Sequence, residues 1–235
     1  MIDVEKLLSV TNTCLCIQKT MTKEEILEKF QKVANELEII GEDEDDEFIY
    51  LHFAKGNTIV VKKPRNQLQI EIILLTGRFP QKIIREIWHP KPTKCLKIAE
   101  KAIKPLILCG PAGIGKTYAC IWKISELAKY NQINTPLYVP FQEILTDEIK
   151  SYKNHDCFLL DDVNGNLSPW KVELIRSIIY HAYNHNKRLF ITSNLEQKEF
   201  LKLLNEEPIV SRLLEICEIH EVVDKDFRQL RLQSA

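Results

Sequence analysis

Residues 110–117 read Gly110, Pro111, Ala112, Gly113, Ile114, Gly115, Lys116, Thr117. The chain holds only seven glycines, and three of them fall within these first six positions. Glycines at this spacing let the backbone curl so that successive N–H groups face a chain of phosphates. A helix opening at Lys116 would aim its positive end at the same anion. In such a cradle the lysine ammonium reaches the β- and γ-phosphates, and the threonine hydroxyl is offered to Mg²⁺. The chemistry implied is the binding of a nucleoside triphosphate.

A second group is Cys157-Phe158-Leu159-Leu160-Asp161-Asp162. Four apolar residues ending in two carboxylates predict a buried parallel strand that delivers charge to its carboxyl end, where open α/β sheets bind ligands. Asp161 is expected to hold the metal, and Asp162 to orient or deprotonate an attacking water. Forty-four residues lie between Lys116 and Asp161, room for one more strand, and Leu137–Val139 fills that slot. A third apolar run, Leu189-Phe190-Ile191-Thr192-Ser193-Asn194, ends in an amide suited to the water or to the γ-phosphate. Arg212 follows 18 positions later, within Ser211-Arg212-Leu213, and in an oligomer would reach a neighbour's γ-phosphate.

These groups need strands and helices in alternation. Strands are expected at Leu106–Cys109, Leu137–Val139, Cys157–Leu160 and Leu189–Thr192. Helices are expected at 94–104, 116–130, 141–153, 168–185 and 197–204. Ser168 caps the fourth of these and Pro169 takes its first position. That alternation predicts a central parallel sheet flanked by helices. The first 90 residues read differently. Thr22-Lys23-Glu24-Glu25 is a capping box opening a helix that runs to Ile40 before Gly41. The acidic run Glu42–Glu47 reads as a solvated loop. Three strands are then expected at 48–53, 58–62 and 67–74, the last from the alternation of Leu68, Ile70, Ile72 and Leu74. The prolines of His89-Pro90-Lys91-Pro92 mark a boundary. The expected domains are therefore a small α+β module at 1–90, with a partner-binding role, and an α/β domain at 91–235.

Taken in order, the glycine loop (Walker A), the Asp-Asp strand (Walker B), Thr-Ser-Asn and Ser-Arg-Leu resemble the AAA+ clade of DnaC and IstB, relatives of DnaA. The likeness covers roughly residues 94–230. The terminal Asp224-Lys225-Asp226-Phe227-Arg228 is similar to the short segment that closes the family's sheet. The resemblance implies an AAA+ P-loop ATPase in which residues 110–117 bind ATP and Mg²⁺, with Thr117 and Asp161 as metal residues. It implies Asp162, Asn194 and Lys116 in catalysis, Asn194 as the sensor of the γ-phosphate, Arg212 as an arginine finger acting in trans, and Arg228 as a second nucleotide-sensing arginine. It further implies a homo-oligomer in the ATP state, single-stranded DNA as an activator, and the loading of a replicative helicase in DNA replication. Two other readings stay open: an IstB-like transposition helper, and a nucleotide-gated interaction module with little hydrolysis. Only 23 residues follow Arg212, so neither a helical lid domain nor the duplex-reading module of an initiator is expected.

Composition sets the remaining bounds. The 235 residues carry 32 basic and 33 acidic side chains, a net charge of −1, which excludes a generally basic nucleic-acid coat. Local basic clusters remain at Lys62-Lys63-Pro64-Arg65 and Lys187-Arg188, and Trp170 is an aromatic able to stack a base. No apolar run approaches the roughly 20 residues of a membrane helix, and the N-terminus lacks the basic start of a secretory signal. Seven cysteines without a Cys-x-x-Cys pair point to a reducing, cytoplasmic setting with buried thiols.

Overall fold

The computed structural model describes residues 39–53, 58–142, 153–165, 167–224 and 226. Most of the helices expected at 22–40 and 141–153 lies outside them, as do Arg228, Cys14 and Cys16. The chain divides into two compact units. One comprises the described residues up to Arg65 with Lys129–Gln132, and the other comprises Asn66–Ala128 with the described residues from Ile133 onward.

The first unit is an antiparallel sheet of β1 (Ile39–Glu44), β2 (Phe48–Phe53) and β3 (Thr58–Lys62), paired in that order. The last two match expectation, and the first does not. The acidic run expected as a loop forms the end of β1 and the turn into β2. Asp45 builds that turn: its Oδ1 accepts the N–H groups of Glu47 (2.8 Å) and Phe48 (2.6 Å), an Asx arrangement. The Tyr50 hydroxyl donates to Oδ2 at 2.6 Å. Led by the Tyr50 bond, these donors hold the Asp45 carboxyl below its ordinary range.

The second unit is a five-stranded parallel sheet, β5-β6-β7-β4-β8. Its strands are β4 (Leu106–Cys109), β5 (Pro136–Pro140), β6 (Cys157–Val163), β7 (Arg188–Ser193) and β8 (Glu218–Glu221). Its helices are α1 (Gln67–Thr76), α2 (Gln81–Glu86), α3 (Lys94–Lys101), α4 (Lys116–Lys129), α5 (Pro169–Asn184), α6 (Gln197–Leu204) and α7 (Glu207–Ile216). Both faces are covered. Leu106, Leu108, Leu159 and Phe190 pack with residues of α1 to α4. Ile107, Leu160, Leu189 and Ile191 pack with residues of α5 to α7. Neighbouring residues thus serve opposite cores, as the two-residue period of a strand requires. Each fully buried large side chain here contributes roughly 1.5–3 kcal/mol. The described cysteines, 95, 109, 120, 157 and 217, are all free and buried in these two cores. Burial pushes the Cys95 thiol up to about 11 and those of Cys109 and Cys217 up to about 12.

Residues 67–74 are a correction: the expected third strand of the meander is helix α1. Asn66 caps it, accepting the Gln69 N–H at 3.0 Å while the Gln69 side chain accepts the Asn66 N–H at 3.0 Å. The buried residues are Ile70 and Leu74, four apart on one helical face, while Leu68 and Ile72 are exposed. Helices α1 and α2 belong to the second unit, so the structure divides the chain after Arg65, not at the Pro90–Pro92 boundary expected from sequence.

Gly77 ends α1 and meets β5. Its carbonyl accepts the Tyr138 N–H at 2.8 Å, and a Cβ built on it would overlap the Pro136 carbonyl oxygen. Its φ of −77° suits any residue, so space alone demands glycine. Gly77→Ala is expected to cost about 1–3 kcal/mol by overpacking. A urea melt checks this, and an unchanged midpoint would contradict it.

Candidate nucleotide-binding site

The site lies at the carboxyl ends of β4, β6 and β7. β4 runs into the 110–115 loop, and α4 begins at Lys116. Gly110, Gly113 and Gly115 take φ of 133°, 81° and 90°, values that strain any residue with a Cβ. Space agrees with conformation: a Cβ on Gly110 would overlap the Val222 carbonyl oxygen, and one on Gly113 the Asp226 carboxylate. Pro111 and Ala112 are exposed, and Ile114 anchors the loop in the core at 1% exposure.

Lys116 is buried. Its Nζ donates to the carbonyls of Gly110 (2.8 Å) and Pro111 (2.7 Å) and to Asn194 Oδ1 (2.9 Å). Desolvation lowers its pKa, opposed first by the charge of Asp162. The ammonium is thus held at the loop in a desolvated place, where the charges of Asp162 and Asp161 partly offset the burial.

Two aspartates face it from β6. The pairing of β6 with β7 slips between Leu160 and Val163, so that β6 carries one extra residue. Asp161 and Asp162 occupy this bulge. Asp162 takes φ of 61°, a left-handed conformation that aspartate tolerates better than most. Asp161 stays buried at 8% exposure, whereas Asp162 is exposed. Asp161 Oδ1 accepts the hydroxyls of Thr117 and Thr192, each at 2.6 Å, and Oδ2 accepts the Tyr138 hydroxyl at 2.7 Å. Asp162 donates its N–H to Thr192 Oγ1 at 2.9 Å, and its Oδ1 accepts Asn194 Nδ2 at 2.7 Å. Lys116, Thr117, Asp161, Asp162 and Asn194, expected from sequence, therefore form one hydrogen-bonded network. Thr192 and Tyr138 complete it. The strand run had included Thr192 without giving it a task, and Tyr138 carried no motif.

In the parallel order β5-β6-β7-β4-β8 a glycine-rich loop follows the strand next to the edge, an amide follows its neighbour β7 and two carboxylates stand near the end of β6. No protein-family model matches the chain. An uncharacterized protein of Bacillus subtilis (strain 168), YqaM, is 27% identical over 143 residues, 54% of this chain and 45% of YqaM. The chain thus spans less than half the length of that relative. Among solved structures, the DnaC helicase loader is 23% identical with a TM-score of 0.42, covering 68% of this chain and 93% of that one. Domain III of the Thermotoga maritima replication initiation protein DnaA is 19% identical with a TM-score of 0.45, covering 63% and 69%. The chain is similar to the DnaC- and DnaA-related AAA+ proteins.

The residues fit a nucleotide with a divalent cation. The three positive-φ glycines form a loop that side chains would fill, and the Thr117 hydroxyl is already paired with Asp161. Thr117 and Asp161 would hold the metal. Among the described residues no group of three or more His, Cys, Asp or Glu side chains offers another metal site.

The structure does not bring Arg212 into this network. It lies on α7 with its guanidinium 4.5 Å from the centre of the Tyr180 ring and 5.7 Å from that of Tyr183, and Nη1 donates to the Tyr180 hydroxyl (3.0 Å) and the Pro208 carbonyl (3.3 Å). Trp170 opens α5, 41% exposed, with the Lys171 ammonium 5.6 Å from its ring centre. Among the described residues no helix is long and apolar enough to cross a membrane.

Proposed function

We propose that this chain binds ATP with Mg²⁺ and hydrolyses it, and that it acts on DNA as a loader of a replicative helicase. The observation that supports this most is the continuous chain of contacts from Lys116 through Asn194 to Asp162, and from Asp162 through Thr192 to Asp161 and Thr117. Groups from β6, from the end of β7 and from the first turn of α4 are held together. Bound Mg²⁺ supplies neutralisation of charge on the phosphate chain. Lys116 binds the terminal phosphates. Asp162 accepts the proton of the attacking water, and Asn194 orients the Asp162 carboxylate while touching the lysine. The helicase and single-stranded DNA are partners of the proposal, drawn from the family resemblance. So are the cytoplasmic setting and the interaction role of the N-terminal residues.

That Arg212 lies apart from the network of its own chain supports the proposed role at a neighbouring copy's site. A cation stacked on Tyr180 and Tyr183 is held at the surface in one orientation. Arg212→Ala is expected to lower turnover about tenfold or more while nucleotide affinity of the isolated protomer stays the same. Turnover that survives at all protein concentrations would remove the trans role.

The experiment that tests the whole reading is the ATP hydrolysis rate against protein concentration, with and without single-stranded DNA. Specific activity that rises with concentration, and further with DNA, supports shared sites in a DNA-linked assembly. A flat rate near zero with ATP still bound favours instead a nucleotide-gated interaction module.

A further inference from the structure

The buried carboxylate of Asp161 has a third partner, from a strand that carries none of the motifs. Tyr138 lies on β5, paired with Leu159 of β6, two residues short of the Pro140–Asp161 pair. Its ring rests on Phe79, with centres 5.7 Å apart, and its N–H is tied to the Gly77 carbonyl at 2.8 Å. So placed, its hydroxyl reaches Asp161 Oδ2 at 2.7 Å, opposite the oxygen that takes Thr117 and Thr192.

We propose that Tyr138 is a positioning residue for the divalent cation, acting through Asp161. This rests on the nucleotide-binding reading of the site. The torsion that turns a carboxylate plane is broad and nearly two-fold. Two hydroxyls on Oδ1 alone leave that plane free to rock about the shared oxygen. A donor on Oδ2 closes the third corner and turns the Oδ1 edge toward Thr117. The Thr117 hydroxyl then donates its hydrogen bond to Asp161, which leaves its oxygen lone pairs for a cation. Tyr138 also draws electron density from Oδ2, an effect that opposes metal binding. Orientation is the larger effect here, because a short buried carboxylate has few other groups to fix it. Hydrogen-bonding partners of metal-binding carboxylates are typically worth about 10–100-fold in metal affinity.

Tyr138→Phe keeps the ring on Phe79 and deletes only the hydroxyl. The test titrates Mn²⁺, followed by electron paramagnetic resonance, into full-length protein saturated with ADP. In parallel, ADP affinity is measured in EDTA. We expect the Mn²⁺ dissociation constant to rise about tenfold, with ADP affinity in EDTA unchanged within about twofold. Mn²⁺ affinity within twofold of wild type would overturn the positioning role. Equal losses of Mn²⁺ affinity and of ADP affinity in EDTA would also overturn it, since that pattern is general damage to the fold. A wild-type protein that binds neither ADP nor Mn²⁺ would instead overturn the nucleotide reading beneath it.

Discussion

Lys116→Ala is expected to weaken ATP binding by about 100-fold and to take turnover with it. Lys116 is the cation that the loop encloses, 5% exposed and tied to two loop carbonyls and Asn194. A charge-assisted hydrogen bond contributes about 1.5–3 kcal/mol, and the upper end suits a buried ammonium facing a polyphosphate. Roughly 2.7 kcal/mol corresponds to two decades in affinity. The buried setting that lowers the lysine's pKa works in the same direction, because in a low dielectric the attraction between the ammonium and a phosphate chain is stronger than in water. Calorimetric titration with ATP measures the loss. The variant also strips three acceptors of their donor, so its thermal midpoint is measured alongside. A folded variant that keeps micromolar affinity would remove Lys116 from the phosphate cradle.

Asp162→Asn is expected to lower turnover about 10³-fold and to leave ATP affinity within about threefold. The substitution suits the local geometry. Asparagine accepts the left-handed backbone at φ of 61°, and its carbonyl can still accept the Asn194 amide. The N–H bond to Thr192 is a backbone bond and survives. What is lost is the charge and basicity needed to take a proton from water. Single-turnover hydrolysis and nucleotide titration separate the two quantities. Turnover within a few-fold of wild type would mean that Asp162 is not the base.

The parts of this site that were legible in sequence are those where chemistry fixes spacing. A phosphate loop needs glycines at set intervals before a lysine, and a buried strand ending in aspartates needs an unbroken apolar run. Residues 67–74 misled because Leu68 and Ile72, exposed on the helix surface, alternate with the buried Ile70 and Leu74 at every second position and so mimic a strand. The deciding signal was the Asn66-x-x-Gln69 cap, which is local and outweighs the alternation. Helix α7 and strand β8 went unassigned, although Glu207 and Pro208 mark a helix start. Tyr138 and Thr192 were invisible as functional residues for a different reason. Their partner, Asp161, is 23 and 31 positions away, and only strand order brings them to it. The bulge at Asp161–Asp162 likewise arises from pairing with β7, which no local pattern encodes.

The buried cysteines give this fold a set of built-in clocks. A thiol reacts as its thiolate, and with Cys109 pushed up to about 12 only about one thiol in 10⁴ is ionised at pH 8. An alkylating reagent therefore reads how often each segment opens to solvent. Cys109 immediately precedes the glycine-rich loop, Cys120 lies within α4, Cys157 begins β6 and Cys217 follows α7. Each reports a different part of the second unit. A ligand that binds only the closed form slows opening by mass action, so protection of Cys109 and Cys120 from alkylation would register nucleotide directly. Occupancy of the loop can thus be followed by mass spectrometry in protein that turns over nothing at all.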